Sequence, residues 1–204
     1  MITKGAPIAT LLAAFAAFSC IADKQAGGVQ PSKLFSRGMV LQADRPIPIW
    51  GKAAPGAQLT ISGSWGQTAT ATADDKGIWR TKIATPKFGG PYTIEIKGAS
   101  TTTINNVMIG EVWLASGQSN MEMPMGGLAD APVENGPEDI AASDNSNIRV
   151  FMVERAVSFV PEDDIQGSWK SASPANTPNF GATCYYFAKR LNAELCIPVG
   201  IINT

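Results

Sequence analysis

From Leu34 to about Asn106 the chain is a series of short apolar or alternating runs separated by turn residues. The runs are Met39-Val40-Leu41, Ile47 to Trp50, Gln58 to Ser62, Gln67 to Ala73, Ile78 to Ile83, Pro91 to Ile96 and Thr101 to Ile104. Between them stand Ala54-Pro55-Gly56, Ser62-Gly63, Asp74-Asp75-Lys76-Gly77, Phe88-Gly89-Gly90-Pro91 and Lys97-Gly98. Runs of this length with turn chemistry between them predict an antiparallel β-sandwich. Gln67 to Ala73 reads QTATATA, a strict Thr/Ala alternation that predicts a strand with one face packed and one wet. Trp50, Trp65 and Trp79 admit two readings, a sugar-stacking platform or packing in the core and at sheet edges, and the second is the commoner role in a small sandwich.

After Asn106 the pattern changes. Val107 to Ala115 is a nearly continuous apolar run interrupted by Gly110-Glu111, which predicts a strand buried on both faces. Residues 126–147, rich in Gly, Pro, Asp and Asn, predict an irregular excursion, and Ile148 to Val153 a further strand. Phe180, Cys184, Phe187, Leu191 and Leu195 recur every three or four residues, one stripe of an amphipathic helix that Pro198 closes. Val199 to Asn203 then reads as a β-branched strand. Helix followed by strand is the repeating unit of a parallel α/β sheet. A sheet ending at Thr204 would have few strands and an exposed edge, so the expectation is the first part of a longer domain.

Composition narrows the function classes. The chain has 204 residues and 45% hydrophobic content, enough for a buried core. Sixteen basic and seventeen acidic residues give a net charge of -1, and no Lys/Arg run offers the electrostatic footprint of a nucleic-acid binder. At the N-terminus, Lys4, the apolar stretch Ile8 to Phe18 and the small residues around Ala22 predict a secretory signal over residues 1–22. The stretch is shorter than the roughly 20 residues of a transmembrane span. Ala17-Phe18-Ser19-Cys20 resembles a lipoprotein cleavage box with a lipid anchor on Cys20, although Phe18 departs from the small residue preferred there. The expected destination is the periplasm, the outer membrane as a lipoprotein, or the exterior; a buried N-terminal helix is the alternative reading of the same residues.

Cys184 and Cys196 lie twelve residues apart around the predicted helix. At about 1.5 Å per residue they would be roughly 16–18 Å apart, too far for a disulfide, and both are read as buried free thiols. There is no histidine in the chain, and the cysteine spacing fits no metal site, so neither metal nor other cofactor is expected.

One stretch carries candidate chemistry. Glu111 to Met125, EVWLASGQSNMEMPM, runs from a strand-like segment into Gly117-Gln118-Ser119-Asn120. A serine here commonly caps a helical turn. Its position, where a buried strand ends, also suits a nucleophile, because a sharp strand-to-helix turn lifts the hydroxyl out of the sheet and aims backbone N–H groups at a developing oxyanion. Met121 stands where the Gly-x-Ser-x-Gly elbow has its second glycine, so the α/β-hydrolase pattern fails. Met121, Met123 and Met125 alternate beside the turn, either filling core or lining a substrate site, with core filling the commoner. Glu111, Glu122 and Asp130 invite a paired-carboxylate glycosidase reading, but nothing in the sequence fixes two of them about 5–10 Å apart.

GEVWLASGQSNMEMPM resembles the nucleophile block of the sialate O-acetylesterase family, SGNH-type carbohydrate esterases in which Gly-Gln-Ser-Asn-Met carries the catalytic serine. LFSRGMVLQADRPIPIWGKAAPGAQLTI and GIWRTKIATPKFGGPYTIEI are similar to the family's N-terminal β-sandwich, and FGATCYYFAKRLNAELCIPVGIINT to a helix-strand segment that precedes a Ser-Trp-Gly-Gly stretch. The resemblance implies that Ser119 is the nucleophile, that its backbone N–H donates to the oxyanion, and that Gln118 and Asn120 shape the turn. It further implies glycine and asparagine oxyanion donors and an Asp-x-x-His base, none of which has a matching position in this chain.

The expected architecture is thus a β-sandwich over residues 30–106 followed by the N-terminal portion of an SGNH-like α/β domain with a parallel sheet over residues 107–204. The expected activity is removal of acetyl groups from sialic acid or another acetylated sugar or glycan through an acyl-serine intermediate, with the 204-residue chain itself close to inactive for want of a base. The alternative from another class is a non-catalytic carbohydrate-binding or interaction protein built on the sandwich.

Overall fold

The structure, a computed structural model, describes residues 28–204, so the predicted signal and Cys20 lie outside the described residues. In chain order the elements are β1 (Gln30–Pro31), β2 (Val40–Gln42), β3 (Pro46–Lys52), β4 (Gln58–Gly63), β5 (Thr68–Thr72), β6 (Ile78–Ala84), β7 (Gly89–Lys97), β8 (Thr101–Ala115), α1 (Ser119–Glu122), α2 (Gly136–Ala141), β9 (Asn145–Val153), β10 (Gly167–Ala172), α3 (Ala182–Leu195) and β11 (Val199–Asn203).

The strands form two sheets. The smaller has the order β1-β3-β6, and the larger is mixed, in the order β10-β9-β11-β8-β7-β4-β5 with β2 also paired to β8. One apolar core takes Ile47 and Ile49 from β3 and Trp79 and Ile83 from β6, together with Leu59, Ile61, Ile94 and Ile96 from the larger sheet. The alternation QTATATA resolves as expected, with Ala71 buried and Thr68, Thr70 and Thr72 exposed. The three tryptophans pack. Trp79 is fully buried, Trp50 meets Phe35 edge-on at 4.6 Å, and Trp65 meets Tyr92 edge-on at 5.6 Å.

β8 joins the antiparallel and parallel parts of the larger sheet. Its first half pairs with β7 antiparallel, and Glu111 to Ala115 pair with β11 parallel. Thr101–Ile104 and Val107–Ala115, which the sequence pattern separates, are therefore one 15-residue strand. Asn106, at φ 60, accommodates the irregular register against β7 without ending the ladder. β9 also runs parallel to β11, and α3 is the crossover between them.

The faces of this parallel part are covered differently. On one, α3 lays Cys184, Tyr185 and Ala188 against Ile148, Val150, Val199 and Ile201. On the other the cover comes from the chain's own N-terminal segment. Leu34 accepts a 2.8 Å hydrogen bond from Trp169 Nε1, and Val40 and Leu41 join Phe151 and Trp169 in the first core.

Four sequence expectations are corrected. β8 is buried from Val107 to Gly110, but Trp113 is 45% and Leu114 69% exposed, because α3 covers Trp113 there only through the edge-on ring of Phe187, itself exposed. In α3 the buried stripe runs through Cys184, Tyr185 and Ala188, while Phe187 and Leu195 are exposed; Phe180 is buried just ahead of the helix. Cys184 is a buried free thiol as expected, but Cys196 is exposed, since it occupies the left-handed C-cap of α3 at φ 55. The interval 126–147 is not wholly irregular, for α2 crosses it and the start of β9 reaches back to Asn145.

Candidate functional site

The parallel strands end level with one another. Ala115 pairs with Asn203 and Asn203 with Met152, while Thr204 N–H donates to Ala115 O at 2.9 Å. The crevice beyond the carboxyl ends of such strands is where open α/β sheets bind ligands. Past Ala115 the chain turns through Ser116-Gly117-Gln118 into α1, closed by Met121 N–H to Gln118 O and Met123 N–H to Ser119 O, each 2.9 Å.

Ser119 is the first residue of α1 and is exposed, and the N-cap position belongs to Gln118. The serine is therefore not spent as a helix cap. The first N–H groups of a helix have no partner within it, which leaves those of Ser119 and Asn120 able to donate to an anion at the turn.

This turn is braced from below. Ala182 N–H donates to Met123 O at 2.7 Å, Met125 N–H to Phe180 O at 2.8 Å, and Thr183 Oγ1 to Asn120 O at 3.1 Å. Asn203 Nδ2 donates to Met121 O at 3.4 Å and to Cys184 Sγ at 3.6 Å. Gly181 fits between these groups because it has no Cβ, which would lie 2.6 Å from Met121 O, 3.2 Å from Cys184 Sγ and 3.3 Å from Asn203 Nδ2. Burial pushes the Cys184 thiol above its ordinary pKa despite that hydrogen bond, so it stays an uncharged filler beneath the turn.

Ser119 opens onto a cleft of about 510 Å³ lined also by Asn120, Asn179, Asn203, Met123, Leu128 and Met152. Its two charged residues, Glu122 and Arg155, form a 3.2 Å ion pair across the cleft. Amides, hydroxyls and apolar side chains fit a polyhydroxylated ligand with an apolar substituent. Of the sequence-singled residues, Ser119 and Asn120 face the cleft, whereas Gln118 contributes the backbone carbonyl that closes the turn. The methionines divide: Met125 is buried in the core, Met121 packs partly against it, and Met123 lines the cleft. The three carboxylates do not converge, for Glu122 pairs with Arg155, Glu111 accepts from Gln42 Nε2 at 3.1 Å, and Asp130 is exposed in the Leu128–Ala131 turn. Among the described residues no group of three His, Cys, Asp or Glu side chains could hold a metal ion, and no helix is long and apolar enough to cross a membrane.

Sequence reasoning missed Asn179, Gly181, Asn203 and Arg155. They lie far along the chain from Ser119 and meet it only through the sheet and the α3 crossover, and none stands in a recognisable motif; the end of the Val199–Asn203 strand was the one signal that pointed to Asn203.

No protein-family model matches the chain. It is 29% identical over 185 residues to the sialate O-acetylesterase of Mus musculus, an alignment covering 81% of this chain and 34% of the mouse protein. To the sialate O-acetylesterase of Homo sapiens it is 27% identical over 207 residues, covering 89% of this chain and 38% of the human one. The crystal structure of a carbohydrate acetylesterase from Xanthomonas citri superposes with a TM-score of 0.79 at 36% identity, covering 86% of this chain and 40% of that one. The chain spans about a third of the length of the curated relatives it matches. These likenesses in sequence and fold support a sialate O-acetylesterase-like family.

Proposed function

We propose that this chain carries the nucleophile and part of the binding cleft of a carbohydrate O-acetylesterase. Ser119 attacks the acetyl carbonyl, the acetyl group passes to its Oγ, the sugar hydroxyl leaves, and water then releases acetate. The Ser119 N–H stabilises the oxyanion, and Gln118 and Asn120 hold the turn. The substrate is an acetylated sugar or glycan, sialic acid among the candidates. Residues 30–106 act as a β-sandwich and residues 107–204 as the first part of an SGNH-like domain. Residues 1–22 direct export to the periplasm, the outer membrane or the exterior, with lipidation of Cys20 as one route.

The observation that carries the reading is the position of Ser119, exposed at the start of α1 beyond the carboxyl ends of three parallel strands and open to the 510 Å³ cleft. The proton acceptor is not a histidine of this chain, which has none. General-base catalysis is worth roughly 10²–10⁴ in rate, so the 204-residue chain should hydrolyse 4-nitrophenyl acetate close to the level of its Ser119→Ala variant. Robust turnover that vanishes in Ser119→Ala would overturn the claim that these residues lack a base.

A further inference from the structure

We propose that Asn179 is a substrate-binding residue of the Ser119 cleft, its carboxamide reading a free hydroxyl beside the acetylated one on the sugar. The inference rests on the esterase reading above and adds to it a determinant of which esters the cleft accepts. Asn179 comes from an element other than the nucleophile turn. It ends the short helical turn Thr177–Asn179, shortly before α3, and is exposed on the cleft wall.

Most other polar side chains of the cleft are already engaged. Glu122 and Arg155 pair with each other at 3.2 Å, and Asn203 directs its Nδ2 to Met121 O at 3.4 Å and Cys184 Sγ at 3.6 Å. The Asn179 carboxamide makes no hydrogen bond among the described residues, so its two N–H donors and its carbonyl oxygen are left for water or a ligand. An asparagine commonly stands in a turn because its side chain bonds nearby backbone. Here the neighbours do that instead: Asn176 Nδ2 donates to Ser171 O at 3.0 Å, Asn176 N–H to Ser173 Oγ at 3.2 Å and Ser173 N–H to Thr177 Oγ1 at 3.1 Å. The turn is thus closed without the amide of Asn179.

The backbone that carries Asn179 is fixed on both sides. Its own N–H donates to Asn176 O at 3.1 Å, Phe180 N–H to Thr177 O at 3.0 Å, and Gly126 N–H to Pro178 O at 2.9 Å. Thr177 and Phe180 are both fully buried. A polar group presented from such a frame loses little freedom when a ligand arrives. A carboxamide can donate to one sugar hydroxyl and accept from another, whereas an acetylated or alkylated oxygen has no proton to give it. A site built to bond a hydroxyl rejects an analogue that lacks it. Asn179 therefore favours sugars that keep a free hydroxyl next to the ester over fully substituted ones, and because it remains within reach of water the preference is modest.

The test uses the whole 204-residue chain carrying Ser119→Ala, which leaves an ester intact, and follows ¹⁵N amide shifts on titration with each of a pair of probes. One is methyl 3-O-acetyl-β-D-glucopyranoside, with a hydroxyl on either side of the ester; the other is its 2,4-di-O-methyl analogue. The hydroxylated probe should bind more tightly. Asn179→Ala should raise its Kd about three- to tenfold, the loss of one or two neutral hydrogen bonds, and leave the Kd of the methylated probe unchanged. In the chain that retains Ser119, Asn179→Ala should not slow fluorophosphonate labelling of Ser119; slower labelling would mean that Asn179 only supports the turn. Equal losses for both probes, or no loss for the hydroxylated one, would overturn the role given to Asn179 and leave the esterase reading standing. If neither probe shifts the amides around the cleft, the sugar-ester reading of the cleft fails, and this inference with it.

Discussion

Replacing Arg149 by alanine removes the one side chain that ties β9 to both the Ser36–Met39 turn and the bend of β8 at Asn106. The variant loses four hydrogen bonds donated by a charged group and strands three backbone carbonyls and an amide oxygen in a region where Arg149 itself is 4% exposed. Each unsatisfied buried acceptor costs about 1–3 kcal/mol. The four do not add, because the adjacent hollow of about 200 Å³ admits water to some of them once the guanidinium is gone. A net loss of about 3–5 kcal/mol follows, a large fraction of the ~5–15 kcal/mol stability of a typical domain. Urea unfolding followed by tryptophan fluorescence would measure it, Trp169 being close by. With m near ~2 kcal/mol/M the midpoint should fall by about 2 M. Arg149→Lys should recover little, since one ammonium cannot reach Ser146, Gly38 and Asn106 together. A loss under about 1 kcal/mol for Arg149→Ala, at unchanged m, would refute the reasoning.

Other predictions concern the helix contact and the turn. Lys189 and Tyr186 both donate to Asp139, Tyr186 at 2.7 Å, and these bonds hold its carboxyl below the ordinary value. Stability from the contact should be present above the unfolded carboxylate pKa near ~4 and be lost as pH falls through the lower folded value; Asp139→Asn should flatten that acid limb of a urea-midpoint profile. Tyr186 is pushed up to about 12, by burial first and then by Asp139, so its contribution is complete below the unfolded tyrosine pKa near ~10 and lost as pH rises through about 12. Tyr186→Phe should remove that alkaline limb. Gly181→Ala should cost about 1–3 kcal/mol and displace Met121, visible as amide shift changes from Gly117 to Met123, because its Cβ would lie 2.6 Å from a backbone oxygen; a variant of wild-type stability and spectrum would show that the turn is not braced there.

The strands between Ile47 and Lys97 were legible because each carries its own turn chemistry and period, as in QTATATA. β10 was not. GSWKSA buries only Trp169 and Ala172, and Trp169 is held by Leu34, 135 positions away, so no local period betrays the strand. The helix stripe was displaced for a similar reason: Tyr185 is buried in the core with Ile148, Val150, Val199 and Ile201 of β9 and β11, while Phe187 stacks edge-on at 5.1 Å against Trp113, exposed at the end of β8. At the site, Ser119 could be found because strand, turn and motif are contiguous. Asn203, Gly181 and Arg155 converge on it only through pairing of β8, β9 and β11, which a single sequence does not display.

The central claim, that Ser119 is poised as a nucleophile, is tested most directly by prolonged incubation of the chain with excess fluorophosphonate at pH 9, followed by peptide mass spectrometry. Slow phosphonylation of Ser119 ahead of the exposed turn serines Ser64 and Ser100, absent in Ser119→Ala, is the predicted result. Labelling of Ser119 no faster than of Ser64 and Ser100 would contradict it.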